Sequence, residues 1–264
     1  MEAAPLAWYL YAVLPAGAPA QQHGLEPILP GAALITVTEA GLAALTSLVP
    51  RSKFSAADPA SQATDPGWVA ACAAAHHALV AALHQTQDCL PLGFGTLFAT
   101  QAGLRDWLTQ HQAALRAGLQ RLAGQAEWGL ALHLDQARFT AHAEAHDSAL
   151  AALQAQRDAA SPGTAFLLDK RLDKARQASR GAAFSALACQ IEACLRAAGM
   201  SVQTEQPAAQ DAACWSLLGA RGADPAAALA ALDAAIGAAG GRARLTGPWP
   251  PYAFARAALE APHG

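Results

Sequence analysis

The stretch Gly247-Pro248-Trp249-Pro250-Pro251-Tyr252-Ala253-Phe254 restricts the backbone more than any other part of the chain. Proline holds φ at about −65° and has no N–H to donate, so three of them in eight residues exclude a helix or a central strand. Trp249, Tyr252 and Phe254 are therefore expected on a stiff, extended backbone, where ordering them costs little further entropy. Two uses suit such rings. They can pin a chain end to the core, or they can anchor a partner, since Trp and Tyr combine rigid area with a polar tip.

The chain has 264 residues, enough for one large domain or two of ordinary size. Hydrophobic residues make up 53%, but alanine supplies much of that, so the core must rely on scattered Leu, Val, Ile, Trp and Phe. The alanine-rich stretches favour helix. A formal net charge of −3 gives no general attraction to nucleic acid or to an anionic membrane. No Lys or Arg precedes Arg51, so no secretory n-region is expected. Thr36, Thr38 and Glu39 interrupt one apolar window and Asp233 another, so no membrane-spanning helix is expected either. Cys72, Cys89, Cys189, Cys194 and Cys214 lack Cys-x-x-Cys spacing and read as free thiols in a reducing cytoplasm.

Punctuation by Gly, Pro and capping residues sets out two α+β domains, 1–124 and 125–264. In the first, Trp8–Leu14 reads as a buried strand, followed by a loop through Gly31. Leu34–Val37 and Leu42–Val49 read as further strands, or a strand and a turn of helix, and residues 50–64 as a polar loop. Asp65-Pro66 caps a helix, and Thr100 caps another whose apolar stripe runs from Leu104 through His111 to Leu122, with Gly124 at its end. Between them, Cys89–Phe98 is strand-like but broken by Pro91, Gly93 and Gly95. The second domain opens on the strand Trp128–Leu134. A helical region follows, interrupted at Ser161-Pro162-Gly163 and closed by Gly199. Two short strands come next, then a helix capped by Asp224-Pro225, and a last strand at Arg242–Leu245. Written out, this is β-α-β-β-α-β, the order of a ferredoxin-like unit, with the proline segment at its end.

Residues that could carry chemistry are few, and each has a structural reading beside it. Gly93-Phe94-Gly95 opens like a dinucleotide fingerprint, but Phe98 stands where a third glycine packs helix on strand, so a tight turn fits better. His142 and His146 share a helix face with Glu144 between them, without the His-Glu order of a zinc protease helix or a third ligand at a telling spacing. His76 and His111 fall on apolar stripes, where a lone His is usually a packed core or rim residue. No catalytic, cofactor or metal site is expected. Lys170, Arg171, Lys174, Arg176 and Arg180 form the one dense basic run, interleaved with Asp169 and Asp173. It reads as a solvated helix face or as a docking patch for an acidic partner.

Five stretches, in order, resemble the GvpF/GvpL family of gas vesicle proteins. They are Trp8–Val13, Trp68 with His77–Val80, Leu90–Phe98, Glu127–Leu130 with Phe166-Leu167 before Lys170-Arg171, and the proline segment itself. The resemblance implies a non-enzymatic, cytoplasmic accessory protein of two α+β domains, associated with the gas vesicle. Its partners would be the small hydrophobic shell protein GvpA and other accessory gas vesicle proteins, with no nucleic acid, membrane or cofactor. Candidate contact residues are Trp249, Tyr252, Phe254, Lys170, Arg171 and Lys174. Gly93 and Ala131 stand where members often carry cations, and Ala253 replaces a usual Ser, so a contact built on those cations is weakened here. The competing reading is a small-ligand-binding or enzymatic module on the ferredoxin-like half, which calls for a deep polar pocket with convergent titratable groups.

Overall fold

The computed structural model describes residues 5–17, 24–54 and 62–260. The expected loops before Gly31 and across 50–64 therefore lie partly outside the described residues. The chain separates into two compact units, with breaks between Glu127 and Trp128 and between Gly247 and Pro248.

In the first unit, β1 (Leu6–Pro15), β2 (Leu34–Glu39) and β3 (Leu42–Pro50) form the sheet core, followed by a helical turn α1 (Arg51–Phe54) and a 3-10 turn at Gln62–Thr64. The β2–β3 hairpin turns on Ala40 and Gly41, both at positive φ (52° and 71°), the backbone of a two-residue primed turn. That geometry decides for two strands over a strand and helix. α2 (Pro66–Thr86) starts where its cap requires: the Asp65 carboxylate accepts from Gly67 N–H at 2.9 Å. Replacing Asp65 by alanine removes that acceptor and is expected to lower stability by about 1 kcal/mol, read from the shift of the urea midpoint.

By length and composition α2 could cross a membrane, but its Cys72, His76, Leu79, Val80, Leu83 and His84 are buried within the unit. The strand-like reading of Cys89–Phe98 resolves into two short pieces, β4 (Leu90–Pro91) and β5 (Leu97–Phe98), both antiparallel to β1. The single helix expected after Thr100 is two: α3 (Gln101–Gln110) and α4 (Gln112–Leu122). They part at His111, whose ring N–H donates to the Trp107 carbonyl at 2.9 Å while its backbone leaves helical geometry.

The sheet runs β2-β3-β1-β4, with β5 also on β1, so β1 is central and pairs with β3, β4 and β5, while β2 pairs with β3. Its register against β3 slips between Leu10 and Ala12, a bulge that re-phases the alternation of faces. Ala7, Tyr9 and Tyr11 before the slip, and Ala12 and Leu14 after it, all join the core that α2 covers.

The second unit is built from β6 (Gln125–Leu134), α5 (Gln136–Ala145), α6 (Ser148–Asp158), α7 (Pro162–Ala197), β7 (Ser201–Glu205), β8 (Ala213–Ala220), α8 (Pro225–Ala230), α9 (Asp233–Ala238) and β9 (Gly241–Trp249). Its sheet is ordered β7-β8-β6-β9, with β7 and β8 antiparallel. Asp135, Asp147 and Asp224 cap α5, α6 and α8 by accepting from the backbone N–H of the second or third residue of each helix. α7 runs unbroken for 36 residues and buries Leu168, Leu172, Leu187, Ile191 and Leu195.

The proline segment departs from expectation twice. Gly247–Trp249 end β9, an edge strand, where a missing N–H breaks no ladder. Tyr252 and Phe254 are not on extended chain but open α10 (Tyr252–Glu260). Proline is disruptive inside a helix, yet immediately before one its φ is already helical and its absent donor would have gone unused. Ala255 N–H indeed returns to the Pro251 carbonyl at 2.9 Å. α10 packs on α4 and β4, so the segment from Pro248 onward belongs with the first unit rather than closing a domain over 125–264.

Candidate functional site

Alternation along β1 carries Tyr9 and Tyr11 toward α2, and the helical stripe of α2 brings His76 to meet them. The Nε2–H of His76 donates to the Leu92 carbonyl at 3.1 Å, which leaves Nδ1 to accept from the Tyr9 hydroxyl at 2.9 Å. The Tyr9 oxygen also accepts from Gly95 N–H at 3.2 Å. Tyr11 accepts from Ile28 N–H at 2.9 Å, shares a 2.8 Å hydrogen bond with Ser47 and stacks on His76 at 5.7 Å between centroids. Burial pushes the pKa of His76 down to about 4 and pushes the hydroxyls of Tyr9 and Tyr252 well up. His76, Tyr9 and Tyr11 have their hydrogen bonds committed to each other, to Ser47 and to the backbone. They form a polar centre for a core, not an acid–base pair.

Gly93-Phe94-Gly95 is a tight turn between β4 and β5: Thr96 N–H and hydroxyl both donate to the Gly93 carbonyl, and Gly95 sits at φ 86°. The turn lifts Phe94 onto the surface, where it is 39% exposed with its ring 6.2 Å from His76. On the same helix His77 meets Trp249 edge-on at 5.2 Å and Tyr252 at 5.9 Å, while Tyr252 reaches His76 at 6.2 Å. Trp249 is 41% exposed. A half-buried aromatic surface results, with Phe94 and Trp249 outward and Tyr252, His76 and Tyr9 beneath. Phe254 faces inward and is buried.

A family model described as gas vesicle synthesis protein GvpL/GvpF matches residues 7–256. The chain belongs to the GvpL/GvpF family. Gas vesicle protein L2 of Halobacterium salinarum is 34% identical over 178 residues, covering 63% of this chain and 63% of that protein. Gas vesicle protein L of a Streptomyces species is 35% identical over 95 residues, 36% of this chain and 35% of that protein. The matched stretch spans less than two thirds of either relative. The crystal structure of gas vesicle protein GvpF from Anabaena has the same fold, with a TM-score of 0.68 over 95% of this chain and 96% of that one at 18% identity.

Within this GvpL/GvpF chain the six candidate contact residues fall into two groups. Trp249, Tyr252 and Phe254 belong to the first unit and Lys170, Arg171 and Lys174 to α7 of the second. Among the three rings only Trp249 is exposed. Phe94 and His77 join it, and neither was a candidate from sequence. The signal for Phe94 was present in the glycines flanking it, which mark a turn tip.

Glu127 was also missed as a key residue. It is 9% exposed, and its Oε2 accepts from Ala253 N–H at 2.9 Å and Phe254 N–H at 3.4 Å, which seats the N-terminus of α10. A cavity of about 410 Å³ in the first unit has Asp88 and Arg116 in its lining, both engaged in the same structural way. Asp88 accepts from Gly124 N–H and Arg116 donates to the Ala40 carbonyl. Among the described residues no three His, Cys, Asp or Glu gather as metal ligands would, and the His146 ring N–H donates to the His142 carbonyl at 2.7 Å.

Proposed function

We propose that this protein is a non-enzymatic accessory factor in gas vesicle assembly that binds the small hydrophobic shell protein GvpA, or other accessory subunits, in the cytoplasm or at the vesicle. Family membership supports the gas vesicle role. The observation that carries binding is the aromatic surface on which Phe94 and Trp249 are exposed, with His77 half-buried beside Trp249 and Tyr252 beneath, and with prolines stiffening the backbone next to Trp249. A shell subunit exposes apolar surface before assembly, and a rigid aromatic patch covers such surface at little entropic cost. We also read the second unit as ferredoxin-like, on the support of its β-α-β-β-α-β order and its β7-β8-β6-β9 sheet.

The test is co-purification of GvpA with the full chain, compared with Trp249→Ala and Phe94→Ala. Each substitution is expected to weaken retention by about tenfold, and the pair by more, with unchanged circular dichroism. Undiminished retention by the double variant would sink this reading of the surface.

A further inference from the structure

We propose that the N-terminal half of α7 is a second docking face, shaped for an acidic amphipathic helix of a partner protein. It goes beyond the aromatic surface and is independent of it. Phe166 and Leu167 are each 63% exposed, the most exposed large apolar side chains among the described residues. Phe166, Lys170 and Lys174 recur at four-residue steps, with Leu167 and Arg171 one position on, so the five share a stripe roughly 12 Å long. On the opposite side Leu168 and Leu172 are buried, and Ser179 donates to the Ala143 carbonyl of α5 at 3.3 Å. That anchoring holds the stripe still.

Charge decides what fits it. The two carboxylates on this stretch of α7 are already engaged: Asp169 accepts from Arg157 of α6 at 2.8 Å, and Asp173 lies 3.6 Å from Arg176. Arg176 itself turns toward α5, 3.6 Å from Glu144. Lys170, Arg171 and Lys174 are exposed and form no ion pair among the described residues. A chain of net charge −3 thus presents three unneutralised cations beside two bare apolar side chains. The complement is a helix with apolar residues opposite Phe166 and Leu167 and Asp or Glu at three- to four-residue spacing beyond them. Nucleic acid suits the face less well, since Phe166 is the one ring on the stripe and no second lies beside it to stack successive bases. An anionic membrane would meet only two apolar side chains on this stripe, little area to insert.

The experiment titrates the full chain against a labelled synthetic helix carrying a Leu stripe flanked by Glu, with fluorescence anisotropy as the readout. A Gln-for-Glu version of the helix, phosphatidylglycerol vesicles and oligouridylate serve as alternative probes. The acidic helix is expected to bind at least about tenfold tighter than its Gln version, and more weakly as salt rises. Phe166→Ser with Leu167→Ser is expected to lose about tenfold, as is Lys170→Gln with Arg171→Gln and Lys174→Gln; these exposed positions leave the fold intact by circular dichroism. Unchanged affinity in either variant overturns the proposal. So does tighter binding of the vesicles or of oligouridylate than of the acidic helix.

Discussion

Glu127→Ala is expected to lower the unfolding free energy of the first unit by about 2–4 kcal/mol and to release α10 from its seat. The geometry leaves the helix few other ways to satisfy its first turn. Pro250 and Pro251 bring no N–H groups, so Ala253 and Phe254 supply the donors there, and both point at one carboxylate oxygen. That carboxylate is almost fully buried and sits at the positive end of the helix. Alanine would leave two donors without that acceptor, one part-buried at Ala253 and one buried at Phe254, which together cost about 2–4 kcal/mol. Gln retains an acceptor but no charge, and should lose about half as much. Hydrogen exchange locates the effect: amides of Tyr252–Glu260 should lose more protection than those of β1 near neutral pH. If α10 in the alanine variant exchanges like wild type, the carboxylate is not what holds the helix.

His76 should make the same unit acid-sensitive. Its folded pKa is about 4 against an ordinary 6.5, chiefly because burial opposes the charged ring, with a smaller push from neighbouring His77. Between those values the unfolded chain binds a proton that the folded one refuses. Stability from this group is therefore fully present above 6.5 and falls as pH drops toward 4, by about 3 kcal/mol in all. Below that both states are protonated and the loss stops. The Leu92 carbonyl slightly resists the shift, since it accepts from the ring N–H.

His76→Gln isolates the effect, because an amide can still donate to Leu92 and accept from Tyr9 but does not titrate. Urea unfolding at neutral pH should find the variant about 1 kcal/mol less stable than wild type. Near pH 4 it should be the more stable of the two, because only wild type has lost the His76 contribution. A stability gap that stays constant between the two pH values would show that the ring does not titrate between folded and unfolded states as its burial implies.

Several features of this molecule were legible locally because the physics that makes them is local. Asp65-Pro66, Thr100 and Asp224-Pro225 cap helices through side chains within three residues of the donors they satisfy. The basic run of α7 was visible as a helix face for the same reason. The aromatic surface was half legible. Trp249 and Tyr252 stood out, but His77 and Phe94 come from α2 and the β4–β5 turn, and only the packing around β1 brings them near.

Proline's fixed φ and missing donor exclude it inside an element, yet the same two properties favour the position just ahead of a helix. Whether the chain uses that option depends on an acceptor for the next N–H groups, and Glu127 lies 126 residues from Ala253. The break at His111 likewise needed the ring to capture the Trp107 carbonyl in preference to solvent.

Sequence by itself therefore determined most of the capped helix starts, the family and the basic face of α7, since these follow from periodicity, short-range hydrogen bonding and ordered motifs. Tertiary structure alone decided three things: the bulge that turns Tyr11 and Ala12 to one face, the neutral His76 centre, and the return of the last helix to the first unit. Each depends on a contact between residues far apart in the chain, which closes only when burial rewards it.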